Sequence, residues 1–151
     1  MKLLPVSPRR QRQQADCLAA CAAMVLGYLR VRIPYSRFIR LLRVDAIGTP
    51  FRNLRYLEAS DISLHIAAGD MPTLRDNLQH GRPVIVAVDT AELPYWHEAT
   101  DHAVVVVGVD DEHVYLLDPD TGGAPHAVTP AEFELAWLEK DYLYAIMQRT
   151  A

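Results

Sequence analysis

The chain has 151 residues, 10 prolines, half of its residues hydrophobic and a formal net charge of −4. This suits one soluble domain, 1–151, with a single core. It argues against a nucleic-acid partner, which needs a basic face. The longest apolar stretches, Leu18–Leu29 and Ala103–Val109, are too short to span a bilayer.

Residues 1–15 carry prolines and polar side chains and are expected to form an arm. Met1-Lys2-Leu3-Leu4 runs at once into Pro5 and lacks the long apolar core of a signal peptide. Arg9-Arg10-Gln11-Arg12 is a local basic run that reads as a solvated surface or as a site for an acidic partner protein. Asp16 is a favourable N-cap residue, and a first helix is expected from Asp16 to Arg30, with Gly27 a weak spot near its end. Cys17 then falls in the first turn. There the free N–H groups and the helix dipole favour a thiolate. Cys21, one turn on, reads as core. Two cysteines four apart on one helix make a poor disulfide framework, so a reduced, cytoplasmic protein is expected.

Tyr35–Val44 repeats helical spacing with Phe38, Ile39, Leu41 and Leu42. Thr49 as N-cap and Pro50 at the first helical position predict a third helix over Phe51–Ala59. The second half changes character. A strand is expected over Ile62–Ala67 and a short helix over Pro72–Gln79. Buried strands follow at Pro83–Val88 and His102–Val109, with a loop between them holding Tyr95, Trp96 and His97. A turn at Asp110–Glu112 leads to a strand ending at Asp118 and a tight loop from Pro119 to Gly123. A short strand at Ala127-Val128, a helix over Ala131–Glu139 and a last strand over Tyr142–Met147 complete the chain. Helices first and a largely antiparallel sheet afterwards make an α+β fold, with a cleft between the halves.

Four residues form a chemical set. Cys17 offers a nucleophile. His102, at the start of a buried strand, offers a base. Asp118 ends the neighbouring strand of the expected hairpin and can orient the imidazole. Gln11 offers a side-chain N–H for an oxyanion, beside the backbone N–H of Cys17. Each has a plain alternative: a core thiol, a strand-end histidine, an Asp-Pro turn, a surface glutamine. His97, Glu98, Asp101 and His102 do not present a metal-ligand spacing, so no metal and no cofactor is expected. Gly122-Gly123 is a turn and not a phosphate loop.

Gln11-x-x-x-x-Asp16-Cys17, Asp101-His102-Ala-Val-Val-Val-Val-Gly108 and Leu117-Asp118-Pro119 resemble the bacteriocin-processing, double-glycine leader peptidases, a papain-like cysteine peptidase family. The resemblance implies a papain-like α+β fold, a peptide or protein substrate, and a Cys17 thioester. It also implies His102 as base, Asp118 as its orienting partner and Gln11 in the oxyanion hole. An amide can still orient an imidazole, as Asn does in papain-like enzymes, so Asp118→Asn is expected to be milder than His102→Ala. The family has Gly after the Cys; here Leu18 stands there and is expected to narrow or reshape the cleft. With the chain ending at Ala151, a free-standing member without the exporter is expected. A catalytically silent peptide-binding module, or an acyltransferase or deamidase using the same triad, remain as other readings.

Overall fold

The computed structural model describes residues 2–59 and 61–150. Four α-helices are present among them: α1 (Cys17–Tyr28), α2 (Tyr35–Leu41), α3 (Met71–Gln79) and α4 (Pro130–Leu138). Six strands accompany them: β1 (Ile62–Ala68), β2 (Val84–Asp89), β3 (Asp101–Val109), β4 (Val114–Leu117), β5 (His126–Val128) and β6 (Leu143–Arg149). The strands form one sheet in the order β1-β6-β2-β3-β4-β5. Its paired neighbours run antiparallel.

The sheet is covered on both faces, which explains the unbroken Val run of β3. Ala103, Val105 and Val107 pack with α1 and α2 on one face. Val104 and Val106 pack with Leu74 of α3 and with Phe133 and Trp137 of α4 on the other. A strand buried on both faces has no reason to alternate apolar with polar residues. The expected two halves are therefore three layers, with the α3 and α4 side as a layer of its own. α1 is apolar all round because it lies between the sheet and α2, and Leu18–Ala22 and Met24–Leu26 are buried.

Two expected helix starts differ from the structure. Phe51–Leu57 is a 3₁₀ helix, its preceding residue is Pro50, and no side chain caps it. The Thr49 hydroxyl is buried without a partner. Phe51, Leu54 and Leu57 recur every third residue, and Leu54 and Leu57 are buried. That is the 3₁₀ period of three residues per turn, which stacks all three side chains on one face. Asp16 does not cap α1 with its side chain. A 3₁₀ turn over Gln14–Asp16 precedes the helix, and Asp16 turns back to accept from the Gln13 N–H at 3.3 Å. α1 ends where Arg30 takes a left-handed conformation, φ 63°, and the Val31 N–H closes onto the Leu26 carbonyl at 2.8 Å.

Leu18 is 1% exposed and belongs to the core between α1 and the sheet. Its side chain points away from solvent, so it does not narrow the cleft as expected from the sequence. Leu18→Gly should cost about 3–6 kcal/mol, from the lost leucine packing and the glycine penalty in a helix. Urea unfolding measures this. Unchanged stability would show that the side chain is not core.

Candidate active site

The β3–β4 hairpin sets the first pair of groups. The Asp110 carboxylate accepts from the Glu112 and His113 N–H groups and closes the turn. The register then pairs Val105 with Leu117. Continuing it by one residue sets Asp118 opposite Val104, so His102 is its diagonal neighbour on the same face. His102 Nε2 lies 2.7 Å from Asp118 Oδ1, and both side chains are almost fully buried.

Asp118 is held from every side. The Asp120 N–H donates to Oδ1 at 2.9 Å. The Tyr95 hydroxyl and the Trp96 indole N–H donate to Oδ2 at 2.6 and 2.9 Å. Trp96 also meets the His102 ring edge-on, with centroids 4.8 Å apart. Burial alone pushes the carboxyl upward, but the bonds and charge of His102, with Tyr95 and Trp96, hold it down at about 2. The sequence left Tyr95 and Trp96 undecided between cleft and packing. They do both: they line the cleft beside His102, and their polar tips satisfy the carboxylate. Their signal in the sequence is an aromatic pair in the loop before the histidine strand. His126 of β5, unremarked in the sequence, stacks on Tyr95 at 3.8 Å.

Cys17 comes from the other layer, at the first turn of α1, and is half-buried. With Nε2 committed to Asp118, the remaining ring nitrogen of His102 serves the thiol. Burial presses the imidazole downward, yet the hydrogen bonds to Asp118 and Cys17 and their charges raise it to about 9. Cys21 is buried within α1, and burial pushes its thiol well up, as do the nearby Cys17 and Asp118. The structure thus brings Cys17, His102 and Asp118 together and leaves Cys21 in the core.

Gln11 reaches the same region on the arm. The arm is fastened by the Leu4 N–H to Val107 and by the Gln11 N–H to the Pro119 carbonyl, 3.0 and 2.8 Å. Gln11 Nε2 donates to the carbonyls of Gln13 and Gln14 at 2.9 and 3.2 Å, while its Oε1 is buried without a partner. An open cleft of about 630 Å³ runs between the arm and the 95–102 segment, with Gln11 and His102 both in its lining. Among the described residues no three His, Cys, Asp or Glu side chains gather as metal ligands.

The family model described as the Peptidase C39 family matches residues 6–147. The chain belongs to that family. It is a cysteine peptidase, and so a hydrolase, of papain-like fold. Solved structures share the architecture. A Bacillus anthracis protein described as C39-like has 17% identity and a TM-score of 0.78, with 97% of each chain covered. A double glycine motif protease from an AMS/PCAT transporter, in complex with the leader peptide, has 19% identity and a TM-score of 0.77, covering 98% of this chain and 94% of its own. The peptidase domain of Streptococcus ComA, a bifunctional ABC transporter in a quorum-sensing pathway, also has 19% identity and a TM-score of 0.77, covering 95% and 98%. No curated protein sequence matches.

In this C39 chain the four donors around Asp118 make an Asn substitution severe and not mild. Trp96 Nε1 bonds one carboxylate oxygen and the Asp120 N–H the other, and both only donate, so either orientation of an Asn sets its NH₂ against one of them and removes the charge beside His102. Without that charge the imidazolium loses the partner that stabilises it, and with the NH₂ turned to His102 the ring keeps its proton on the nitrogen facing Cys17. ¹⁵N NMR at neutral pH should show both His102 nitrogens protonated in the wild type and only one protonated in Asp118→Asn. Adding Trp96→Phe lets the Asn keep its oxygen toward the Asp120 N–H and His102, and should place the ring proton at Nε2. An Asp118→Asn spectrum identical to wild type would refute this account.

Proposed function

We propose that this C39 peptidase hydrolyses a peptide bond through a Cys17 thioester. The observation that carries this is the meeting of Cys17 with His102, itself fixed by a fully satisfied Asp118 at 2.7 Å. His102 takes the Cys17 proton, and the sulfur attacks the substrate carbonyl carbon. As the tetrahedral adduct collapses, the C–N bond breaks and His102 returns the proton to the leaving amine. Water then attacks the thioester, losing its proton to His102 and releasing the acid and the thiol. Asp118 acts as a positioning residue, holding the ring and stabilising the imidazolium.

The oxyanion formed in both steps needs donors. We assign them to the Cys17 backbone N–H and to Gln11 Nε2. Both hydrogens of Gln11 are engaged by carbonyls in the free protein, so this role requires it to release one. The longer bond, 3.2 Å to Gln14, is the one to give. The substrate we propose is a leader-type peptide cut after Gly, on the likeness to the protease solved with a leader peptide. Residues 1–151 are taken as one catalytic domain. Both cysteines are free, which suits a reducing compartment such as the cytoplasm. No described helix is long and apolar enough to cross a membrane.

The test is a screen of Gly-Gly-containing peptides read by mass spectrometry of products, followed by a scan of the arm glutamines. Gln11→Ala should lower kcat about 100- to 1,000-fold with KM little changed, the usual cost of a lost oxyanion donor. Gln13→Ala and Gln14→Ala, which keep the carbonyls that hold Gln11, should stay within about threefold of wild type. A large loss at Gln13 or Gln14 with Gln11→Ala unaffected would reassign the donor.

A further inference from the structure

The charge of the chain is unevenly divided. Residues 1–60 carry eleven Lys and Arg against three Asp and Glu, while 61–151 carry four against sixteen. The net charge of −4 therefore conceals a cationic half, and the arm belongs to it. Three arginines of the arm, Arg9, Arg10 and Arg12, are exposed. None has a carboxylate in ion-pair range among the described residues, whose salt bridges involve other groups.

Two of these arginines form part of the cleft. Arg10 and Arg12 flank Gln11 in the wall that faces His102. The arm holding them is not a loose tail. The Gln11 N–H is tied to Pro119 at 2.8 Å. Gly122, at φ 63°, lets the arm approach so closely that a Cβ there would come 3.2 Å from Arg10 Cβ. Arg9 and Arg12 both lie over the Tyr35 ring, with guanidinium carbons 4.4 and 4.6 Å from its centroid. Aromatic stacking fixes a guanidinium and leaves its N–H fork free for a carboxylate. It also gathers two cations about one ring, a repulsion that an incoming anion relieves. The opposite wall carries Glu98, Asp101 and Asp120, so the positive potential is confined to the arm side.

We infer that Arg10 and Arg12 recognise acidic side chains of the peptide substrate beside the scissile bond. This rests on the peptidase reading and adds its substrate class: a peptide with Asp or Glu on the side of the bond that runs along the arm. The carboxylate is held by charge-assisted, forked hydrogen bonds, which places the adjoining peptide carbonyl within reach of Gln11 and Cys17.

The test separates recognition from turnover. A fluorescein-labelled, Glu-rich peptide with a central Gly-Gly, and its Gln counterpart, are titrated by anisotropy into the Cys17→Ala protein, which binds without cleaving. The Glu peptide should bind about tenfold or more tightly, the worth of one good charged hydrogen bond. Added Arg10→Gln and Arg12→Gln should erase that preference, and rising salt should weaken it. Arg37→Gln and Arg55→Gln, on the same cationic half but outside the cleft, should leave it intact. Equal binding of the two peptides would overturn the inference. So would a preference that survives the Arg10 and Arg12 changes or is lost with Arg37 and Arg55. A single-stranded DNA oligomer that displaces the Glu peptide more strongly than unlabelled Glu peptide does would also overturn it. If the Glu preference behaves as stated but the wild type cleaves neither peptide, the hydrolytic reading fails and the recognition stands.

Discussion

The site depends on one buried carboxylate with no unsatisfied lone pair. Asp118 accepts from His102, the Asp120 N–H, Tyr95 and Trp96, all between 2.6 and 2.9 Å. A carboxylate so far from water is unfavourable unless paired and fully hydrogen-bonded. Here those bonds are spread over a strand end, a tight loop and the segment before β3. Each of these pieces is therefore constrained by the others. The bonds and charge of His102, with Tyr95 and Trp96, keep the group ionised, and its charge favours the imidazolium that forms when His102 takes the Cys17 proton. Orientation and electrostatics are thus two results of a single arrangement.

That arrangement is useful only if the thiol arrives from a separate layer. α1 supplies it by packing its apolar surface on one face of the sheet, with the half-buried Cys17 at its first residue and Cys21 buried one turn on. The hairpin supplies the acid–base pair from the sheet itself. α3 and α4 seal the opposite face, so the strand that carries His102 is fixed from both sides. The arm completes the cleft by crossing to the loop after β4. Tertiary packing, and not local capping, fixes the start of α1, since Asp16 is turned back to Gln13 and to the Tyr35 hydroxyl at 3.5 Å.

Much of this was readable from residues. The Val run of β3, the turn chemistry at Asp110 and the strand-end placement of His102 and Asp118 fixed the hairpin and set these two residues side by side. The expected arm carries Gln11 into the lining of the cleft. What stayed hidden was long-range. Nothing local reveals that Tyr95 and Trp96 donate to a residue more than twenty positions ahead. The 3₁₀ segment was mistaken for an α-helix because Pro50 is a familiar helix opener, although the spacing of Phe51, Leu54 and Leu57 already carried the tighter period. The third layer was missed because the buried residues of α3 and α4 give no sign of which face of a sheet they cover.

The central claim is that His102, held by Asp118, activates Cys17 alone. Brief treatment with iodoacetamide at neutral pH, followed by peptide mapping of the wild type and of His102→Ala, tests it. The expected result is rapid alkylation of Cys17, none of Cys21, and a marked slowing at Cys17 when His102 is removed. Preferential labelling of Cys21, or a Cys17 rate indifferent to His102→Ala with the fold intact by circular dichroism, would contradict the account.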